Sequence, residues 1–255
     1  MTATSALFAV MRQQILVGMS RPMNLASGIV SPLLFMTLLT APRLTSLTPV
    51  QATTVFSGSL LASLWASSMW SSAGILRRER WSGTLAPSFM GRLDPVPVML
   101  GKTLGAISYD VCLILATQVV FCLVFRVRLQ VLHPVAVVVG LLAVVACGVA
   151  SSLMVGALLI LTKYAFQLTA AFGTPILLFG GTLIPLTMLP KGISWIGWLV
   201  NLSWLQKFMS STSGNVAWLD LAVGVLVSVV YTVIGVKGVH VMLNRARKEG
   251  TIDLT

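Results

Sequence analysis

Gly101-Lys102-Thr103 is the first place in this sequence where residue type and spacing suggest chemistry. A glycine, a lysine and a hydroxyl in that order end the loop in which backbone amides and a lysine cradle nucleotide phosphates. The glycine such a loop requires five positions before Gly101 is replaced by Val96, and the triplet opens an apolar run instead of following a strand. The chain is therefore not expected to hydrolyse ATP by itself. His133 and His240 fall at opposite ends of the apolar segments, too far apart to share a metal or a catalytic triad. No HExxH or GxSxG pattern occurs. Cys112, Cys122 and Cys147 lie in apolar runs without metal-ligand spacing; an odd set of this kind argues against a disulfide framework and reads as small core residues. No catalytic residue, metal site or cofactor is assigned to the chain.

Polar residues inside the apolar runs are better candidates. Ser59, Ser63, Ser67 and Ser71 recur at i, i+4 and form one stripe on a helix, widened by Ser68 and Ser72. Small residues in that pattern serve close helix packing in membranes; they could equally form a weakly polar wall of a substrate path, and the two roles can coexist. Asp110 is the one acid well inside a predicted span, where an ionisable group is expensive and suggests function. Lys102, two turns earlier, is its candidate partner, so an interfacial structural pair and a proton or substrate role both stay open. Gly101 and Gly105 form a GxxxG pair, read as a packing surface.

The elements that must carry these residues are dictated by composition. Hydrophobic residues make up 56% of the 255, charged residues 9%, and mean hydropathy is +0.94. A soluble domain carries about 25% charge, so lipid must be the solvent for most of this surface. A bilayer core needs about 20 mostly apolar residues in helical form, because its interior offers no water to backbone groups. Six segments qualify: 23–41, 55–76, 103–125, 134–161, 168–189 and 219–242. The fold class expected is an all-α integral membrane protein, a single six-span domain over 1–255. Thr4–Met19, apolar but interrupted by Arg12, Gln13 and Gln14, is expected as an amphipathic helix lying at the membrane surface.

The net charge of +11 does not mark a nucleic-acid binder, since the basic residues are scattered between apolar runs. On six spans, one side collects twelve of the 17 lysines and arginines and the other only Arg43, Arg126, Arg128, Lys191 and Lys207. Positive charge favours the inner face, which puts both termini in the cytoplasm. Arg126 and Arg128 run against that rule. The Arg245–Lys248 cluster is expected to meet anionic lipid head groups. The longest polar stretches are an inner loop, 77–102, and an outer one, 190–217.

The inner loop reads Arg77-Arg78-Glu79-Arg80-Trp81-Ser82-Gly83-Thr84-Leu85, followed by Asp94-Pro95-Val96-Pro97. A charged cluster, a glycine and an apolar turn suggest a short surface helix that the prolines end. "Glu-Arg-x-x-Gly-Thr-Leu" after the second span resembles the coupling-helix signature of type-2 ATP-binding-cassette (ABC) exporter permeases. Trp81 and Ala86 stand where that family commonly has further acids. After the fifth span, Gly180 to Pro190, with Pro185 between, resembles the family's "Gly-x-x-x-Pro-x-x-x-Leu-Pro" stretch. Trp195, Trp198 and Asn201 match its tryptophan-rich run, with Leu202 in place of the closing proline.

The resemblance covers nearly the whole chain and implies a six-helix permease of the drug- or antibiotic-efflux type in the plasma (inner) membrane. It implies a coupling role for Glu79, Arg80, Gly83, Thr84 and Leu85, and an outer re-entrant segment containing Gly180, Pro185, Pro190 and Trp195. It also implies partners: a dimer of cytoplasmic ABC ATPases carrying the ATP and Mg, and a second permease copy, identical or homologous, all embedded in membrane lipid. Multidrug efflux is the leading expectation. Lipid or glycan export by the same machinery, and an ion-coupled carrier using Asp110, are the alternatives. With this topology, an impermeant thiol reagent applied from outside should label cysteines introduced in 190–217 and spare those in 79–97. The reverse pattern would overturn the orientation.

Overall fold

A computed structural model of the chain describes residues 3–41, 48–69, 74–75, 78, 95–160, 171, 173, 175–183 and 195–249. Among them every regular element is a helix: α1 (Ala3–Met19), α2 (Pro22–Thr40), α3 (Pro49–Ser67), α4 (Pro95–Val124), α5 (Pro134–Ile160), α6 (Ile196–Leu199), α7 (Asn201–Ser211) and α8 (Trp218–Glu249). Among the described residues three stretches are long and apolar enough, by length and composition, to cross a bilayer: Val96–Val124, Pro134–Leu158 and Trp218–Val241. Leu7–Met19 and Gly28–Thr40 are shorter apolar helices. α3, with 19 residues, is about 28 Å long, close to the hydrocarbon thickness.

Helix ends differ from the expected spans for local reasons. α3 begins at Pro49, six residues before 55, because Thr48 and Gln51 form a capping box. The Thr48 hydroxyl accepts from the Gln51 amide at 3.3 Å, and the Gln51 side chain accepts from the Thr48 amide at 3.2 Å. Pro95 and Pro97, read as ending a loop helix, instead open α4. The first turn of a helix has no use for their missing N–H groups, so the prolines can start this helix; the loop helix expected before them lies outside the described residues. Residues 95–102, expected in the inner loop, are therefore helical, and Lys102 already lies within α4. The helical stretch 175–179 stops well short of 189: the chain turns at Gly180 and Gly181, the latter at φ 67°, and the Thr182 hydroxyl donates to the Leu177 carbonyl at 3.0 Å.

Close approaches set the packing. α1 runs parallel to α4, and the two glycines of α4 make the fit. A Cβ on Gly101 would lie 2.9 Å from the Leu7 carbonyl oxygen, and one on Gly105 would lie 2.6 Å from that of Met11. One helical turn further on, Tyr109 of α4 covers Gly18 of α1. The GxxxG pair is thus filled from within the chain, by the helix expected at the membrane surface. α5 and α8 also run parallel: Leu153 backs against Gly235 and Ala157 against Gly238. Leu60, Leu61, Ile107, Ile114, Val144, Leu205 and Phe208 form the centre of the core. Cys122 and Cys147 are buried as expected; Cys112 is exposed, because it points away from the neighbours of α4.

Gly105→Leu should lever α1 from α4, destabilising the chain by about 1–3 kcal/mol as overpacking does. A lower melting temperature and faster amide exchange in α1 are expected. Gly214→Ala, where an added Cβ meets nothing within 4 Å, is the neutral control. Equal melting of both variants would rule out the glycine dock.

Candidate functional site

α3 lies on the axis of the described structure, with Ala52, Thr53, Val55 and nearly every residue from Ser57 to Ser67 buried. Its sequence explains this placement. Serine, glycine and alanine give a slim helix that others can approach closely, and a helix surrounded by protein can carry hydroxyls that lipid would penalise. Ser59, Ser63 and Ser67, at 0, 0 and 4% exposure, face α4 and not open space. Ser71, the last of the stripe, lies outside the described residues.

Two polar rungs join α3 to the antiparallel α4. Ser67 Oγ donates to Asp110 Oδ2 at 2.6 Å. Eight residues away on each helix, Gln118 Nε2 donates to Ser59 Oγ. Eight residues are about 12 Å of helix, so the rungs stand two turns apart with Ser63 and Ile114 at 0% exposure between them. The Ser63 hydroxyl returns to its own helix, donating to the Ser59 carbonyl at 2.6 Å. Asp110 thus meets a hydroxyl from the neighbouring helix; Lys102, its expected partner, sits two turns back along the same helix. The Lys102-containing triplet is helical throughout: Thr103 Oγ1 donates to the Met99 carbonyl at 3.0 Å, and Gly101 packs on α1. A continuous helix has no free amides with which to cradle a phosphate.

α3 also holds the segment that comes after the fifth apolar run. Gly58 lets the turn after Gly180 approach so closely that a Cβ there would lie 2.7 Å from the Thr182 carbonyl oxygen. Gln206 Nε2 of α7 donates to the Thr54 carbonyl at 3.1 Å. Gly180 is buried in this contact, and Trp195 is exposed at the start of α6. Trp204 donates to the Trp198 carbonyl at 3.0 Å and carries Lys207 over its ring at 4.4 Å, an aromatic and cationic cluster suited to a membrane interface. Pro185 and Pro190 lie outside the described residues, as do Glu79, Arg80, Gly83, Thr84 and Leu85.

Asn201 has a structural role its position in the tryptophan-rich run does not announce. It is fully buried at the start of α7, and its Nδ2 donates to Ser151 Oγ of α5 at 3.0 Å and Ser228 Oγ of α8 at 3.1 Å. Ser228 in turn donates to the Gly224 carbonyl at 2.8 Å. One amide therefore ties the short helix α7 to two long ones. Gln118 was legible by the rule that singles out Asp110, as a lone amide in an apolar run two turns further along the same face. Asn201, Ser151 and Ser228 are far apart in sequence, and only packing brings them together. Among the described residues no cluster of His, Cys, Asp or Glu could hold a metal ion.

Asn201→Ala would strand the Ser151 hydroxyl and take from Ser228 the amide that donates to it, at about 1–3 kcal/mol. A clear drop in melting temperature is expected, with trypsin or thiol access to 195–217 increased. A variant that melts like the parent would remove Asn201 from this role.

A family model described as ABC-2 type transporter matches residues 5–216, from α1 to just beyond the end of α7. No curated protein matches the chain.

Proposed function

The chain belongs to the ABC-2 type transporter family, and on that footing we propose that it is the permease subunit of an ATP-driven exporter for amphiphilic small molecules, a drug or antibiotic being the leading cargo. As a transport permease of this family it works with a cytoplasmic ATPase. The reading takes two copies of the chain, or this chain and a homologue, to enclose the path in the plasma membrane with both termini inside, and two ATPase subunits to drive it.

The α3–α4 seam is the observation that carries the mechanism. The segment joining these helices, 68–94, contains the Glu79–Leu85 motif and is the part on which an ATPase would press. A push there is useful only if it moves something as a unit. The Ser67–Asp110 and Ser59–Gln118 rungs bind the two helices together along two turns, and the Gly101 and Gly105 contacts add α1. Three helices then move as one lever, and through Gly58 and Gln206 that lever touches the outer segment. Coupling by this route runs through packed elements with alternative placements, as transmission between distant sites requires.

Gentle detergent extraction of the tagged chain should bring down a stoichiometric cassette ATPase. Recovery of the folded chain alone, repeatedly, would count against the ATP-driven reading. Within the complex, Glu79→Ala should lower transport and cargo-stimulated ATPase activity about tenfold, equivalent to about 1.4 kcal/mol of lost coupling, with insertion unchanged. Undiminished transport would remove Glu79 from the coupling contact.

A further inference from the structure

α4 ends in a way that its sequence does not favour. The Val127 amide donates to the Cys122 carbonyl at 2.9 Å and the Arg126 amide to the Leu123 carbonyl at 3.4 Å, the paired bonds of a Schellman ending. The residue at the turn of that motif adopts the left-handed conformation and is usually glycine. Here it is Arg126, at φ 54°, which no other described non-glycine residue shares in sign. A side chain in that conformation is strained, and an observed strain of this kind invites a functional reading. A cation near a helix C-terminus is favourable, but Phe125 or Val124 could carry it without strain.

The chain beyond Arg126 is held firmly. Thr53 of α3 clasps Gln130 on both sides, its hydroxyl donating to the Gln130 carbonyl at 3.1 Å and lying 3.1 Å from the Gln130 amide. Two residues on, the Leu132 amide donates to the Thr212 carbonyl at 3.4 Å. Between these anchors and the end of α2 lies a cavity of about 400 Å³ lined by Thr37, Thr40, Phe121, Phe125, Arg126 and Arg128, among others. Met36, Val55, Phe121 and Cys122 form the apolar cluster beneath it. Both arginines are exposed, and among the described residues neither finds an ion-pair or side-chain hydrogen-bond partner. They are also two of the basic residues that oppose the positive-inside pattern.

From this geometry we infer that the cavity at the end of α4 is a binding site for a glycerophospholipid, its phosphate held by Arg126 and Arg128 and its first chain segments lying against Phe121 and Phe125. The volume lies within the roughly 300–1,000 Å³ of small-molecule sites. Two guanidinium groups suit a phosphate, which they can grip with paired N–H donors. The hydroxyls of Thr37 and Thr40 already donate to carbonyls of their own helix, Leu33 and Met36, so they present a closed wall, and recognition falls to the arginines. That the lipid is one of the outer leaflet rests on the proposed orientation, with both termini inside.

The strain supplies the test. Arg126→Gly removes the charge and at the same time gives the turn the residue it prefers, so the variant should melt no lower than the parent. The full chain in uncharged detergent is titrated with short-chain phosphatidylglycerol, with the diacylglycerol of the same chains, and with inorganic phosphate. Wild type should bind the phospholipid about tenfold more tightly than Arg126→Gly and more tightly again than Arg126→Gly with Arg128→Gln, since each change removes a charge-assisted contact. Binding of the diacylglycerol should be weak and equal in all three. Equal phospholipid affinity in wild type and the double variant overturns the site. Inorganic phosphate binding as tightly as the phospholipid makes it a free-anion site and overturns the lipid assignment. A thiol reagent on Gln130→Cys reads sidedness separately: reaction from the cytoplasm alone overturns the outer-leaflet placement and the proposed orientation together, and leaves the binding result standing.

Discussion

In hydrocarbon a peptide N–H or C=O has no water to turn to, and a side-chain hydroxyl or carboxylate is in the same position. Every described element of this chain meets that constraint first by being helical. The constraint then governs the side chains. Most serine and threonine hydroxyls in α2, α3 and α4 donate to a carbonyl three or four residues back, as Thr40, Ser63 and Thr103 do. The few polar groups that reach across to another helix are therefore meaningful. They are concentrated on α3, through Ser59 and Ser67, and on Asn201.

Helix association in lipid gains little from hydrophobic burial, since lipid tails are as apolar as leucine; it depends on close packing and hydrogen bonds. The chain uses each in a different place. Glycines bring α1 onto α4 and α8 onto α5, where backbones nearly touch. Polar rungs join α3 to α4, and one amide joins α5, α7 and α8. Among the buried oxygens without a partner in the described residues, beside Ser31 Oγ, are Gln118 Oε1 and Gln206 Oε1. Both belong to amides whose nitrogens bind α3, so the contacts of the central helix include unused hydrogen-bonding capacity that a rearrangement could engage.

Much of this was open to reading in the sequence, in proportion to how local the signal was. Long apolar runs announced helices, and the Gly-Thr-Leu and Gly-to-Pro signatures announced the family. The GxxxG pair announced a close contact, though not that α1 fills it, because nothing in Thr4–Met19 names its partner. Asp110 stood out as a buried acid. Its pairing with Ser67 was hidden, since it depends on the relative register of two helices whose paired residues are 43 positions apart. Pro95 and Pro97 did not announce the start of α4, because proline both ends helices and begins them, and the residue type alone does not distinguish the two. Asn201 was visible as part of a motif, yet its three-helix role depends on Ser151 and Ser228, fifty and twenty-seven residues away.

The parallel docking of α1 on α4 also orders the chain's biogenesis. α1 is synthesised long before α4, at a stage when the surface it will cover does not exist. When α4 enters the membrane, its glycine notch is a ready attachment point for any passing helix, since such pairs associate readily. The tethered α1 is already present at high effective concentration, and intramolecular capture outruns encounters with strangers. The first helix thus acts as a built-in escort for the middle of the chain, occupying the notch before an incorrect partner can reach it.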